Sequence, residues 1–193
     1  MHLDLFTSFY GAGRRDGTNA FCYTRFLIPF LQDFKGFAIF VDGADMMMRA
    51  DISELWALRD IYKPVQVVKH DYKTKFARKY VGTKMEADNE DYPRKQWSSV
   101  MIVNCSHFAW RQITPEAVQK MTGAQLHRFS WMTDEQIGEL PKEWNWLCQE
   151  DGVNENAKLL HWTIGTPAFP KYADSEHSED FRRQLIRSAY VTD

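Results

Sequence analysis

A continuous apolar run, Phe37–Val41, constrains the fold of this chain most, because it leads directly into two acidic residues, Asp42 and Asp45. Five consecutive apolar residues without polar alternation are typical of a strand buried on both faces in a parallel or mixed sheet. In α/β sheets, ligands bind beyond the carboxyl ends of such strands. The segment therefore predicts an α/β core with a polar site where this strand ends.

Helix-like and strand-like segments alternate along the rest of the chain. Amphipathic spacing predicts a helix from about residue 18 to Phe34 that Pro29 kinks or divides. Further helices are predicted to begin at Asp51, Thr114 and Glu179. Short apolar runs predict strands at 2–9, 65–68, 100–103 and 158–163. This order predicts an α/β domain with a mainly parallel or mixed central sheet flanked by helices, and the length of 193 residues fits one domain.

Composition argues against several classes of protein. The chain is 44% hydrophobic and 26% charged, which is ordinary for a folded protein and unlike a disordered one. A net charge of −2 supplies no positive field for nucleic acid, and no apolar stretch reaches the ~20 residues of a membrane span. Cys22, Cys105 and Cys148 are too few and too dispersed for a disulfide framework. We therefore expect a cytoplasmic protein with no nucleic-acid partner.

The two acidic residues after the strand have two interpretations. A pair of carboxylates suits a hard cation, Mg²⁺ or Mn²⁺, which completes its shell with waters and substrate phosphates. Asp also very often ends a strand and caps the next turn. Taken alone, Asp42 and Asp45 leave both interpretations open.

Several segments together resemble the GT-A glycosyltransferases, in particular the family-eight-like group and its short bacterial and phage relatives. The matching segments, in the order found in that family, are 40–46 with 51–56, 69–72, 92–104, 140–147 and 160–163. The resemblance implies a single Rossmann-like GT-A domain that transfers a sugar from a nucleotide-sugar, with UDP-sugar favoured, to a carbohydrate or glycoconjugate acceptor. It also implies dependence on Mn²⁺ or Mg²⁺ and retention of the anomeric configuration.

The same resemblance implies a metal site formed by Asp42 or Asp45 together with His161. In the family a DxD-type motif holds the metal that bridges the donor diphosphate, and a late His supplies another ligand. Here the spacing is Asp-Gly-Ala-Asp, one residue longer than DxD, so either acid could be the ligand. His161 by itself, after two leucines, would more often be a core residue.

Further residues are candidates for binding the donor or for acid–base chemistry. By resemblance, the segment that includes Trp97, Ser98, Ser99 and Asn104 lines the donor-sugar pocket, although its polar residues could equally form turns at the strand end. The basic segment 69–84 could stabilise a diphosphate or form a solvated face that the following acids neutralise. Within this segment the best candidates for donor binding are Lys69 and His70. The possible acids or bases are Asp71, in the same segment, and Glu143, far from it in the sequence.

The sequence also leaves two other interpretations of the chain open. Only 41 residues precede Asp42, so relative to the GT-A pattern we expect a shortened N-terminal nucleotide-binding part. One alternative is a non-catalytic protein that keeps the glycosyltransferase scaffold for carbohydrate binding or assembly. The other is a haloacid-dehalogenase-type phosphohydrolase, which needs its second acid at the position that Ala44 occupies.

Overall fold

The computed structural model describes residues 20–189, so the strand predicted at 2–9 and the predicted helix start at 18–19 lie outside the described residues. The α-helices are α1 (Ala20–Thr24), α2 (Ile28–Leu31), α3 (Ile52–Ala57), α4 (Pro115–Lys120), α5 (Gly123–His127), α6 (Cys148–Asp151) and α7 (Ser178–Ala189). Short 3-10 helices cover Arg25–Leu27, Phe108–Trp110, Lys142–Asn145 and Pro170–Tyr172. The strands are β1 (Phe37–Val41), β2 (Met46–Met48), β3 (Val65–Val67), β4 (Arg78–Lys79), β5 (Ala87–Asp88), β6 (Val100–Asn104), β7 (Gly138–Glu139), β8 (Trp146–Leu147) and β9 (Leu159–His161). No helix in the described part is long and apolar enough to cross a membrane.

The described chain divides into two compact units, each made of several stretches of sequence. The first unit contains the part up to Phe40, Leu58–Lys69 and Pro93–Leu140. The second contains Val41–Ala57, His70–Tyr92 and the part from Pro141 onward. Whether the chain acts as one domain therefore stays a prediction.

The first unit is built on a four-stranded sheet of order β1-β6-β3-β7. Strand β6 is antiparallel to β3, with Val65 opposite Val103, whereas β3 and β7 are parallel. Both β3 and β6 are buried along their whole length. Aromatic side chains from the flanking helices fill the core, where the Phe26 ring meets the Phe129 ring at 5.9 Å. The mixed sheet confirms the predicted α/β class.

One detail of the prediction for β1 is wrong. The strand has the predicted bounds, but every residue in it is only half-buried, whereas burial on both faces was expected. The reason lies in the strand order of the sheet formed by residues 20–189, in which β1 is at the edge and β6 is central. An apolar run alone cannot distinguish these two positions.

The second unit contains a three-stranded sheet of order β2-β9-β8 and the small hairpin β4-β5. Strand β2 is antiparallel to β9, and β8 is parallel to β9. Helix α7 packs on this sheet through Phe181, whose ring lies 5.4 Å from the Trp162 ring in an edge-to-face contact. This sheet carries Met46 opposite His161, which determines where the candidate site lies.

Candidate functional site

A tight turn carries Asp45 from the end of β1 to the start of β2. The amide of Met46 donates to the carbonyl of Gly43 at 3.2 Å, so the chain reverses over 43–46. The ladder between β2 and β9 then continues beyond β2, because the amide of Trp162 donates to the carbonyl of Asp45 at 2.9 Å. Strand pairing therefore brings Asp45 beside His161, although 116 positions separate them in the sequence.

Asp45 and His161 form a carboxylate–imidazole pair at this end of the small sheet. Oδ2 of Asp45 lies 3.5 Å from Nε2 of His161, and the hydroxyl of Tyr80 reaches the same oxygen at 3.4 Å. The His161 side chain is almost completely buried, at 3% exposed, whereas Asp45 keeps 21% of its side chain exposed. A ligand from solvent can thus approach the pair from the Asp45 side.

A fully buried amide holds the His161 ring in place. Oδ1 of Asn145 lies 2.9 Å from Nδ1 of His161, and Asn145 has no exposed surface. Because an amide oxygen can only accept a hydrogen bond, the hydrogen of this contact belongs to Nδ1. In the neutral ring the lone pair is then on Nε2, which faces Asp45. Metal-binding histidines are oriented by a hydrogen bond of this kind on the other ring nitrogen.

The carboxyl of Asp45 is ionised at neutral pH. Burial by itself would raise its pKa, but the hydrogen bond with His161, the charge of that ring and the bond from Tyr80 outweigh burial and lower the pKa. The carboxylate oxygen of Asp45 and Nε2 of His161 therefore face each other. Either a proton or a cation between them would remove the repulsion between these two acceptors.

The spacing of this pair fits a shared divalent cation. Two donors that are each ~2.1 Å from one ion lie about 3.0–3.4 Å apart at right-angled to tetrahedral geometry, close to the 3.5 Å observed. Within residues 20–189, no three His, Cys, Asp or Glu side chains come together in a group that could hold a metal ion. Any cation here would need its remaining ligands from water or from a substrate, as Mg²⁺-type sites commonly do.

Asp42, the other acid of the predicted metal pair, makes a local contact. Its Oδ1 accepts from the amide of Gly43 at 3.2 Å, which is the turn-capping interaction that Asp often makes. The geometry thus brings Asp45 to His161 and leaves Asp42 at the start of the turn. A role of Asp42 in metal binding stays a prediction.

Three other predicted site residues lie in the same unit. His70 is buried, and burial together with the charges of His161 and Lys142 lowers its pKa to about 3, so its ring is neutral. Asp71 is exposed and Glu143 is half-buried. The backbone carbonyl of Glu143 accepts from the amide of Lys158 at 2.8 Å, which ties its 3-10 helix to the start of β9. Acid–base roles for Asp71 and Glu143 stay predictions.

The residues predicted to line the donor-sugar pocket belong to the first unit, where their polar side chains have internal partners. Ser98 Oγ lies 2.7 Å from Nδ1 of His127, Ser99 Oγ donates to the carbonyl of Gln96 at 2.6 Å, and Asn104 Nδ2 donates to the carbonyl of Ile61 at 3.0 Å. Only the Ser99 contact is the local turn that the structural interpretation predicted, whereas the Ser98 and Asn104 contacts join distant segments. Sugar binding by these residues stays a prediction.

Trp97 and Lys69 also interact with each other in the first unit. The Lys69 ammonium lies 5.5 Å from the centre of the Trp97 ring and donates to the carbonyl of Asp134 at 2.8 Å. The Arg94 guanidinium lies at the same distance from the ring and forms an ion pair with Asp134 at 2.7 Å. Two cations thus contact one indole, and Lys69 already has protein partners.

The basic segment is partly neutralised by the acids that follow it, as one of its two interpretations required. Arg78 pairs with Glu86 at 2.8 Å and with Asp88 at 2.7 Å across the β4-β5 hairpin. The hydrogen bond from the amide of Gly82 and the contact with Arg78 lower the pKa of Glu86. This part of the segment is therefore an exposed ion-pair cluster.

Sequence reasoning missed two residues of the candidate site, Asn145 and Tyr80. Asn145 had a weak signal, because a single amide stands between Trp144 and Trp146 in an aromatic segment. Tyr80 had none. Its backbone has a positive φ of 54°, which is uncommon for a residue other than glycine, and tertiary contacts place its hydroxyl at Asp45.

Comparisons with known proteins give a likeness in sequence and a likeness in structure. No family model matches the sequence. Over 164 residues the chain is 41% identical to Protein CDI of Arabidopsis thaliana; the alignment covers 82% of this chain and 61% of that protein. The solved apo structure of the WbbM bifunctional glycosyltransferase aligns with 86% of this chain and 35% of its own, at 16% identity and a TM-score of 0.57. At that identity the likeness shows the fold, so this chain has a mixed α/β fold similar to that of a glycosyltransferase.

Proposed function

We propose that this protein is a metal-dependent glycosyltransferase that moves a sugar from a nucleotide-sugar, with UDP-sugar the first donor to test, to a carbohydrate or glycoconjugate acceptor. The observation that carries the proposal is the Asp45–His161 pair, oriented by Asn145, in a chain with a glycosyltransferase-like fold. The fold makes glycosyl transfer the first activity to consider, and the pair supplies donors for a cation where such an activity needs one.

Each residue of the pair would hold the ion in a defined state. Asp45 contributes a negative oxygen, because its lowered pKa keeps it ionised. His161 contributes the Nε2 lone pair, because Asn145 accepts the hydrogen on Nδ1. Tyr80 donates to the Asp45 oxygen and so limits its rotation. When bound, the cation would supply positive charge that stabilises the diphosphate as it leaves the anomeric carbon.

The donor types favour Mn²⁺ over Mg²⁺ as this ion. Mg²⁺ is bound almost entirely through oxygen, whereas imidazole is a common ligand of transition metals. A site that combines a carboxylate and an imidazole therefore suits Mn²⁺. The same geometry supports Asp45 over Asp42 as the acidic ligand, since Asp45 is the acid that contacts His161.

Calorimetric titration with UDP, with and without Mn²⁺, tests the proposal. The wild-type protein should bind UDP only when Mn²⁺ is present. Asp45→Asn should weaken this binding by about tenfold or more, as loss of a ligand charge does at such sites. Asp42→Asn is the matched control and should change it little, because Asp42 contacts its own turn.

Different failures of this experiment have different meanings. No UDP binding under either condition would overturn the transferase proposal and favour a non-catalytic scaffold. Equal UDP binding with and without Mn²⁺ would overturn the metal site while leaving nucleotide binding intact. A larger loss in Asp42→Asn than in Asp45→Asn would transfer the ligand role to Asp42. A positive result justifies a screen of UDP-sugars for transfer.

A further inference from the structure

A groove in the second unit runs between helix α7 and the end of strand β2. Its volume is ≈ 260 Å³. The residues that line it include Met47, Arg49, Asp180, Arg183, Gln184 and Arg187. The residues from α7 are three or four positions apart, so they form one stripe along the helix.

The groove is positively charged in a chain whose net charge is negative. Three arginines and one aspartate give its lining a net charge of +2, whereas the whole chain carries −2. Arg183 pairs with Glu179 at 3.6 Å, but both side chains are more than two-thirds exposed, and such ion pairs contribute little. No acid among residues 20–189 lies within ion-pair distance of Arg187. The helix stripe therefore offers guanidinium groups to a ligand.

Arg49 supplies a fixed cation on the strand side of the groove. Its amide donates to the carbonyl of Lys158 at 2.8 Å, which continues the β2-β9 ladder. Its guanidinium donates to the carbonyl of Asn154 at 3.3 Å and pairs with Glu155 at 3.1 Å. The side chain is only 22% exposed, so it keeps one position while Arg183 and Arg187 can adjust to a ligand.

The groove and the Asp45–His161 pair lie on opposite faces of the small sheet. Side chains alternate along a strand, so Leu160 and Trp162 face away from His161. Both pack in the cluster that Phe181 of α7 joins, as does Met47, which stands opposite Leu160 in the β2-β9 register. A ligand in the groove would therefore contact α7 and not the candidate metal ligands.

The groups in the groove match one class of ligand. Guanidinium groups bind carboxylate and phosphate oxygens through paired N–H donors. Gln184 and Asp180 add a neutral amide and an acceptor, which suit hydroxyl groups, and Met47 provides an apolar surface for C–H groups. The volume is below the ~300–1,000 Å³ of drug-sized sites and suits a single sugar ring. A second groove of ≈ 290 Å³ shares Asp180 and Arg183, but Glu155 and Glu179 also line it, so it offers space and no further positive charge to a neighbouring ring.

We propose that this groove binds a saccharide that carries an oxyanion, either the carboxylate of a uronic acid or the phosphate of a sugar phosphate. The proposal does not depend on glycosyl transfer, because it concerns binding on the other face of the sheet. It assigns Arg183 and Arg187 to the oxyanion and Gln184 to the hydroxyls.

Binding of defined probes tests this assignment. Calorimetry with tri-galacturonic acid and with galactose 1-phosphate distinguishes the two sources of the oxyanion. Maltotriose provides a neutral saccharide, and polyglutamate provides charge without sugar. We expect one of the acidic saccharides to bind. Maltotriose should bind at least about tenfold more weakly because it lacks the charge-assisted contact, and polyglutamate at least about tenfold more weakly because it lacks the hydroxyl contacts.

Two variants on the same helix provide the matched comparison. Arg187→Gln removes one charge from the groove and should weaken the acidic saccharide about tenfold. Arg182→Gln removes one charge from outside the groove, where Arg182 pairs with Asp174 at 3.1 Å, and should change binding less than about twofold. Both variants should keep the wild-type response to UDP and Mn²⁺, which separates this proposal from the proposed function.

Three results would overturn the proposal. The first is failure of both acidic saccharides to bind the wild-type protein. The second is equal weakening by Arg182→Gln and Arg187→Gln, which would indicate attraction to the overall charge of α7. The third is equal binding of polyglutamate, which would indicate a site for acidic peptides.

Discussion

The ring of His161 is held at both nitrogens, by Asn145 on one side and Asp45 on the other. The first contact determines which nitrogen carries hydrogen, and the second determines what the free lone pair faces. At the scale of single residues, the candidate site therefore depends as much on Asn145 as on the two residues that would touch a cation. Asn145 is a positioning residue, since it acts through His161.

Replacing Asn145 tests this positioning role. Asn145→Leu keeps the approximate size of the side chain but removes the acceptor, so Nδ1 loses its partner and the ring can change tautomer. We expect the affinity for Mn²⁺, measured by electron paramagnetic resonance of the free ion, to fall about 10- to 100-fold. Asn145→Asp keeps an acceptor at the same position and should retain the wild-type tautomer in ¹⁵N spectra of His161. Unchanged Mn²⁺ affinity in Asn145→Leu would contradict the role.

His70 provides a second prediction at this scale, concerning stability. Its pKa is about 3 in the folded chain, mainly because of burial, against an ordinary value of 6.5. Between these pH values the unfolded chain binds a proton that the folded chain does not. The free energy of unfolding therefore falls by up to about 1.4 kcal/mol for each unit by which the pH is lowered. The contribution of the neutral ring to stability is thus complete above pH 6.5 and is lost as the pH falls towards 3.

Urea unfolding of wild type and His70→Gln at several pH values measures this contribution. From pH 7.5 to pH 5 the free energy of unfolding of the wild type should fall about 2 kcal/mol more than that of His70→Gln, which has no proton to gain. Parallel profiles for the two proteins would show that His70 titrates normally in the folded state.

At the scale of elements, the four-stranded sheet has a buried centre and a half-buried edge. Strand β6 is buried at every position and β1 is half-buried at every position, although both are continuous apolar runs in the sequence. The difference follows from their places in the order β1-β6-β3-β7. Equivalent substitutions in the two strands should therefore have unequal effects.

Ile102 in β6 and Ile39 in β1 provide that comparison with the same residue type. Ile102 is 1% exposed, so Ile102→Ala should create a cavity and lower the free energy of unfolding by about 2–5 kcal/mol. Ile39→Ala removes the same atoms from a half-buried site and should cost roughly half as much. Equal losses in chemical denaturation would contradict the assignment of β1 to the edge.

Helix starts were predictable at this scale because capping is local. Thr114 accepts from the amide of Ala117 at 3.3 Å and Pro115 follows it at the first position of α4, as their types in the sequence indicate. Pro29 likewise falls where the predicted long helix is divided into α1, a 3-10 turn and α2. These features depend on neighbours within about four positions, so the sequence pattern contains them.

At the scale of the whole molecule, the chain passes between its two compact units five times. The passages follow Phe40, Ala57, Lys69, Tyr92 and Leu140, so no single cut separates the units. Each unit can complete its sheet only after stretches from distant parts of the sequence have been brought together. We therefore expect the units to unfold in one cooperative transition.

Coincidence of two probes tests this cooperativity. Tryptophan fluorescence and far-UV circular dichroism should give the same urea midpoint, because a shared transition exposes the buried indoles and unfolds the helices and strands at once. Trp110 reports on the first unit and Trp162 on the second, and both are buried. Single-tryptophan variants that retain one or the other should also agree. Two separate midpoints would show that the units unfold independently.

The sequence by itself determined the strands at 37–41 and 100–103, the mixed α/β class and the acids at the end of the first strand. It did so because hydrophobic periodicity and capping are properties of neighbouring residues. Only the tertiary structure decided that β1 is at the edge of the sheet formed by residues 20–189, that Asp45 is the acid beside His161, and that Asn145 orients that ring. These outcomes depend on strand order and register, which are set by packing between segments far apart in the chain.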